Sequence, residues 1–180
     1  MAKEIERKFL VRTLDPLRGL RGDRIVQGYV AKEPGAVTTR VRIREDRAFL
    51  TLKGPREGIT RDEFEYPIPL DDARQLLEKF CGRRVVRKTR YLVPHPPHVI
   101  EVDVFEGRHA GLVIAEVELP TEHAALSLPA WIGDEITYDT RFGNFCLANE
   151  AFMVPRDHLF PPPDAALPSP AHPGLPATPH

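Results

Sequence analysis

Charged side chains recur at every second position in several segments of this 180-residue chain. In the opening segment, Glu4, Glu6 and Lys8 share one face of a predicted β-strand, because successive side chains of a strand point to opposite sides. Like charges this close repel each other unless an opposite charge lies nearby. The basic residues with this spacing are Lys8, Arg40, Arg42, Arg44, Lys53, Lys88 and Arg90, and the acidic ones are Glu4, Glu6, Glu63, Glu65, Glu101, Asp103, Glu116 and Glu118.

This combination of side chains suits a condensed phosphate bound together with a metal ion. Guanidinium groups grip phosphate oxygens with paired hydrogen bonds, and lysine ammonium groups act as point charges. Carboxylates would repel such a polyanion unless divalent cations that prefer oxygen ligands, such as Mg²⁺ or Mn²⁺, lie between them. The residues therefore point to phosphoryl transfer, although the sequence contains no Walker pattern and no Ser/His/Asp set.

The charged faces fit either of two arrangements, a solvated sheet surface or the interior of a barrel. A solvated charged face is ordinary in antiparallel sheets, and strand periodicity alone does not distinguish the two. We favour the interior because whole faces carry mainly one sign of charge, while the opposite faces are rich in Ile, Val, Leu and Phe. The predicted helices are amphipathic and can cover those apolar faces.

The order of elements predicts a mainly β (α+β) fold, a closed eight-stranded antiparallel β-barrel with a charged lumen and a few covering helices. In a barrel of this kind, alternate residues of every strand line the interior. The predicted strands are residues 4–11, 24–32, 37–44, 48–53, 60–68, 83–93, 99–105 and 111–119, and the predicted helices are residues 71–81, 121–128 and 140–153.

Composition places the chain among ordinary globular proteins, with a net charge of −1 and 42% hydrophobic residues. We expect one domain at 1–154 and a disordered, Pro-rich tail at 155–180. No apolar run is long enough to cross a membrane and no signal peptide is evident, so we expect a cytoplasmic monomer or homodimer with no nucleic-acid or membrane partner. Cys81 and Cys146 show neither metal-ligand nor redox spacing.

The opening segment Glu4-Ile5-Glu6-Arg7-Lys8-Phe9-Leu10-Val11 resembles the E-x-E-x-K motif of the CYTH superfamily, the triphosphate tunnel metalloenzymes. The resemblance covers roughly residues 1–150 and is greatest to the small bacterial inorganic triphosphatases. The later matching segments are Gln27-Gly28-Tyr29, Arg40-Val41-Arg42, Thr51-Leu52-Lys53-Gly54, Arg61-Asp62-Glu63-Phe64-Glu65, Lys88-Thr89-Arg90-Tyr91, Glu101-Val102-Asp103-Val104-Phe105 and Glu116-Val117-Glu118.

The resemblance implies an eight-stranded tunnel that binds a triphosphate end-on and hydrolyses or cyclises it with Mg²⁺ or Mn²⁺, with two ions expected. It implies catalytic roles for Lys8, Glu4 and Glu6. The implied phosphate-binding residues are Lys8, Arg40, Arg42, Arg44, Lys53, Lys88 and Arg90. The implied metal ligands are Glu4, Glu6, Asp103, Glu116 and Glu118, and the residues in supporting roles are Tyr29, Arg61, Glu63, Glu65 and Glu101.

The segment 139–144 resembles the family's terminal Asp-x-Arg-Tyr-x-Asn motif, with Phe142 in the tyrosine position. The resemblance also implies that the helix predicted at 140–153 closes one end of the tunnel.

The short chain without inserted domains favours inorganic tripolyphosphate as the substrate. Nucleoside or thiamine triphosphate hydrolysis and an adenylyl cyclase activity are enzymatic alternatives. A non-catalytic polyphosphate-binding module is an alternative of another class. Such a module would keep the basic residues but would have little use for the paired glutamates.

Overall fold

The computed structural model describes residues 3–31, 37–149, 151–155 and 158–159. The tail predicted to be disordered falls largely outside these described residues, so the domain boundary at residue 154 stays a prediction. Neither described α-helix has the length and apolar character needed to span a bilayer.

Nine antiparallel β-strands form the framework of the described chain. Eight of them follow the order β5-β4-β3-β2-β6-β7-β8-β1, and β1 also pairs with β5, so the sheet closes into a barrel. The predicted eight-stranded barrel is thus confirmed. The strands are β1 Lys3–Val11, β2 Gly22–Ala31, β3 Thr38–Arg44, β4 Arg47–Lys53, β5 Thr60–Ile68, β6 Val85–His95, β7 His98–Phe105, β8 Val113–Glu118 and β9 Ile132–Glu135.

The ninth strand was not predicted, because its four residues include Gly133 and lack an alternating pattern. It pairs with the second half of β1, where Phe9 lies opposite Glu135. The first half of β1 pairs instead with β5, where Glu4 lies opposite Arg61. Since β8 occupies the other edge of β1, strands β5 and β9 share one edge of β1 and leave a seam between them.

The helices differ more from prediction than the strands do. Helix α1 (Leu70–Leu76) continues as a π-helical turn, Leu77–Cys81, so the predicted segment is helical. The helix predicted at 121–128 is wrong: after a turn the chain has no regular secondary structure, and Leu126 packs on the apolar exterior of the barrel. In the last predicted helix, only a 3₁₀ turn (Thr140–Phe142) and α2 (Asn144–Ala148) form, because Gly143 and Asn149 have extended backbones.

Apolar side chains pack on the outside of the barrel and at one of its ends. On the outside, Phe9, Val102 and Val117 belong to a buried cluster, and Ala73 of α1 packs over β3 and β4. At the end, Phe105 and Phe142 belong to a second cluster with residues of β2, β6, β8 and α2. Phe105 has the same strand parity as Asp103, so the lumen changes from charged to apolar at this end and the C-terminal segment closes it.

Candidate active site

A cavity of about 480 Å³ occupies the barrel interior. All the predicted site residues except Asp103 line it. Asp103 is completely buried behind two of the lining residues, Lys88 and Arg90. The lining residues from the prediction are Glu4, Glu6, Lys8, Tyr29, Arg40, Arg42, Arg44, Lys53, Arg61, Glu63, Glu65, Lys88, Arg90, Glu101, Glu116 and Glu118.

Lys8 lies between two acidic residues of the wall. Its ammonium group contacts Glu116 and lies 3.2 Å from Glu6 Oε1. Burial alone would lower the pKa of Lys8, but the charges of Glu116 and Glu6 outweigh it and raise the pKa above its ordinary value. Lys8 is therefore a permanent positive charge inside the cavity.

Asp103 bridges two basic side chains of β6. Its Oδ1 and Oδ2 each accept a hydrogen bond of 2.6 Å from Arg90, and Oδ2 also contacts Lys88. Burial would raise the pKa of Asp103, yet the charges of Arg90 and Lys88 lower it, so the carboxylate stays ionised. Burial and the neighbouring Arg90 lower the pKa of Lys88 to about 8, although Asp103 opposes this shift.

A row of arginines follows β3 into the cavity. Arg40 donates to Thr51, Arg42 lies 2.8 Å from Glu65, and Arg44 lies 2.7 Å from Asp23. The Nε atoms of Arg40 and Arg42 are buried and have no hydrogen-bond partner among the described residues. A buried donor without a partner is costly, and turning the guanidinium towards an anionic oxygen in the cavity would satisfy it.

Most carboxylates of the wall are paired with basic side chains. Glu4 lies 2.8 Å from Lys53 and also contacts Arg61, and these two cations lower its pKa although burial opposes them. Glu118 differs, because no ion-pair partner contacts it within the described chain. Burial and the charges of Glu101, Glu4 and Glu6 raise the pKa of Glu118.

The donor set fits a hard divalent cation in its chemistry, since it consists of carboxylate oxygens. Within the described residues, however, no three His, Cys, Asp or Glu side chains are grouped closely enough to hold a metal ion as they stand. The reason is visible in the ion pairs: Glu4, Glu6, Asp103 and Glu116 all face Lys or Arg. Binding of a cation therefore requires some carboxylates to leave their present basic partners.

Three polar residues of the cavity wall, Arg56, Thr137 and Asn144, were not among the predicted site residues. Arg56 extends from the loop between β4 and β5, Thr137 follows β9, and Asn144 of α2 accepts a hydrogen bond of 3.3 Å from Lys88. None of them lies on one of the eight barrel strands, so strand periodicity carried no signal for them. Phe142, which occupies the tyrosine position of the terminal motif, is 1% exposed in the apolar cluster at the barrel end. A hydroxyl there would need a polar partner.

Comparison with known proteins agrees with this geometry. Residues 2–144 match the CYTH domain. The chain is 42% identical over 153 residues to an inorganic triphosphatase of Acetivibrio thermocellus, covering 84% of this chain and 97% of the relative. It is 38% identical over 148 residues to an inorganic triphosphatase of Nitrosomonas europaea, covering 81% and 96%. A solved structure of an inorganic triphosphatase, 36% identical, superimposes with a TM-score of 0.61 over 82% of this chain and 95% of that one.

Proposed function

This chain belongs to the CYTH family, and on that premise we propose that it is a triphosphatase that removes the terminal phosphate of inorganic tripolyphosphate. The family resemblance seen in the sequence is confirmed. Relatives that share about two fifths of its residues over nearly their whole length bear the name inorganic triphosphatase, which supports this activity above the alternatives.

The observation that carries the proposal is the charge distribution of the cavity wall. Of the described residues that line the cavity, nine are basic and eight are acidic. A wall so close to neutral cannot by itself neutralise a polyanion, so the substrate must bring cations with it or displace the acidic partners of the basic groups. A purely anion-binding protein would gain affinity by omitting the carboxylates.

We propose that the phosphate chain exchanges places with the carboxylates on the basic residues. The buried Nε donors of Arg40 and Arg42 have no hydrogen-bond partner among the described residues, so these two arginines can donate to phosphate oxygens first. The remaining phosphate-binding residues in this proposal are Arg44, Lys53, Lys88, Arg90 and Lys8. As these groups turn to phosphate, the carboxylates that they held become available as oxygen ligands.

The residues that would hold the cations, Mg²⁺ or Mn²⁺ and two in number, are Glu4, Glu6, Glu116, Glu118 and Asp103. When bound, such ions supply charge neutralisation at the phosphoryl oxygens and lower the pKa of a bound water. Asp103 differs from the others because both of its oxygens are held by Arg90 and Lys88. We infer that Asp103 acts mainly by positioning the side chains of Arg90 and Lys88.

The chain's own residues then provide positioning and electrostatic stabilisation. Lys8, whose charge persists because its pKa is raised, offsets negative charge that develops on the leaving oxygen. The apolar cluster and α2 exclude water from one end of the lumen. Little covalent chemistry is asked of the protein, since phosphoryl transfer depends on placement and charge.

The test is phosphate release from tripolyphosphate, ATP, thiamine triphosphate, pyrophosphate and long-chain polyphosphate, each with Mg²⁺, Mn²⁺ or chelator. We expect tripolyphosphate with a divalent cation to give the highest kcat/KM and chelator to abolish turnover. Cyclic AMP formed from ATP would identify the cyclase alternative. Tripolyphosphate binding that is unaffected by chelator and releases no phosphate would identify a binding module.

A further inference from the structure

Arg56 reaches the cavity from outside the barrel strands. It lies in the loop between β4 and β5, whose backbone is held by hydrogen bonds from Gly54 N to Asp62 O (2.9 Å) and from Glu57 N to Thr60 O (2.8 Å). Its guanidinium lines the cavity. Nη2 donates to Glu6 Oε1 at 2.7 Å, and Nη1 donates to the carbonyl oxygen of Thr137 at 3.1 Å.

Three cationic side chains surround one carboxylate oxygen of Glu6. Its Oε1 lies 2.7 Å from Arg56, 3.2 Å from Lys8 and 3.3 Å from Arg61. Lys8 is also paired with Glu116, and Arg61 is also paired with Glu4. Among the described residues, by contrast, Glu6 is the one carboxylate that Arg56 contacts. Of the three cations, Arg56 is therefore the one whose departure takes a contact from no other carboxylate of the described chain, and Arg61 still lies 3.3 Å from Glu6 Oε1.

The exposure of the two side chains indicates which partner can move. The side chain of Arg56 is 30% exposed, whereas that of Glu6 is 6% exposed. An arginine on a loop, partly hydrated, loses less by changing partner than one fixed on a strand among buried groups. Its planar fork also suits a phosphate oxygen at least as well as a carboxylate.

The contacts of Arg56 also fit a purely structural role. The guanidinium spans the seam at β1, where the backbone N–H of Lys8 donates to Thr137 Oγ1 and its carbonyl accepts from Ile136 N. Arg56 could simply link Glu6 to Thr137 across that seam. Such a link predicts that removing Arg56 lowers thermal stability and leaves phosphate affinity unchanged.

We propose that Arg56 is a further phosphate-binding residue, held on Glu6 in the structure and transferred to a phosphate oxygen when the substrate binds. This inference rests on the proposed triphosphatase function and extends it to a residue that none of the strand motifs contains. The transfer also frees Glu6 Oε1 from its closest cationic contact.

The experiment measures tripolyphosphate binding by calorimetry in the presence of chelator, together with Tm and the kinetics with Mg²⁺. The variants are R56Q and R56K, with R74Q as the matched control, because Arg74 is an exposed arginine of α1 paired with Asp71. Loss of one charge-assisted hydrogen bond should weaken metal-free binding about 10- to 100-fold in R56Q, and R56K should recover part of it. R74Q should bind as the wild type does.

A double-mutant cycle with Glu6 separates the two roles of Arg56. In the E6Q background Arg56 has no carboxylate to leave before it binds phosphate. R56Q should therefore weaken metal-free tripolyphosphate binding more in the E6Q background than in the wild type. Unchanged metal-free affinity in R56Q, whether or not Tm falls, would overturn the inference. The inference is also overturned if metal-free affinity and Tm both fall in R56Q and R56K restores neither of them. Wild-type protein that neither binds nor cleaves tripolyphosphate would instead refute the proposed function itself.

Discussion

Replacement of Asp103 by asparagine tests whether the ion pairs of the lumen hold the barrel together. The substitution keeps the shape of the side chain but removes its charge. It also places amide hydrogens where Arg90 and Lys88 now donate to carboxylate oxygens. Two buried cations then lose a shared counter-ion, and we expect Asp103→Asn to lower the free energy of unfolding.

The size of the loss follows from the remaining partners. Removing one member of a buried ion pair costs about 3–5 kcal/mol. Arg90 keeps Glu116 at 2.7 Å and also contacts Glu101, whereas the hydrogen-bond partner that Lys88 keeps among the described residues is the amide oxygen of Asn144 at 3.3 Å. We therefore expect the lower part of that range, about 3 kcal/mol. For a chain of this length this corresponds to a fall in Tm of about 6–12 °C.

The loss should depend on pH through Lys88. Its folded pKa of about 8 is lower than its ordinary 10.5, so between these values the unfolded state binds more protons and wild-type stability rises with pH. Without Asp103 the folded pKa of Lys88 falls further, and the variant begins to gain stability at a lower pH. The gap between variant and wild type should therefore be widest near pH 5–6, narrow towards about pH 8 and stay constant above it.

Urea unfolding followed by circular dichroism at pH 6 and pH 8.5, with chelator and without phosphate, measures both effects. Asp71→Asn is the control, because that side chain is 85% exposed in its surface pair with Arg74 and should change stability by about 1 kcal/mol or less. A variant Asp103→Asn as stable as the control at both pH values would refute the argument. If such a variant also lost affinity for Mg²⁺, the predicted role of Asp103 as a metal ligand would be favoured instead.

Two further predictions concern the catalytic groups. Lys8→Ala should lower kcat for tripolyphosphate about 100- to 1,000-fold, because it removes the charge that offsets the leaving oxygen. The β-sheet circular dichroism signal should remain, since Glu116 keeps its contact with Arg90 and Glu6 keeps its contacts with Arg56 and Arg61. A wild-type kcat would contradict the role assigned to Lys8. Glu118→Gln should relieve the repulsion between Glu118 and the neighbouring glutamates and leave Tm unchanged or higher. It should raise the Mg²⁺ concentration for half-maximal activity about 10- to 100-fold. An unchanged Mg²⁺ titration would exclude Glu118 as a ligand.

The residues that line the lumen could be predicted because a barrel strand has only two sides. Once Glu4, Glu6 and Lys8 were assigned to one side, parity fixed the direction of every charge on that strand, and the same held for β3 and β6. Closure of the sheet then brought together residues as distant in sequence as Lys8 and Glu116. Parity could not, however, separate the lining residues from Asp103, which points inward but lies beneath Lys88 and Arg90.

Residues outside the eight barrel strands were not predictable in this way. Arg56 and Thr137 reach the cavity near the point where β1 changes partner from β5 to β9, an arrangement set by tertiary pairing rather than by local pattern. The helix predicted at 121–128 fails for a similar reason. Its apolar residues Ala124 and Leu126 pack on the outer cluster from a segment without regular secondary structure, so tertiary packing overrides the local helical pattern.

The ion pairs explain why a wall so rich in carboxylates can both fold and bind a polyanion. Isolated buried charges would be too costly, so each basic group of the cavity wall is neutralised by a neighbouring carboxylate, as Lys8 is by Glu116 and Arg42 by Glu65. The same pairs oppose binding unless a cation takes over the carboxylates as phosphate takes over the basic groups. Substrate and metal should therefore bind with positive coupling, each lowering the cost of separating the pairs for the other.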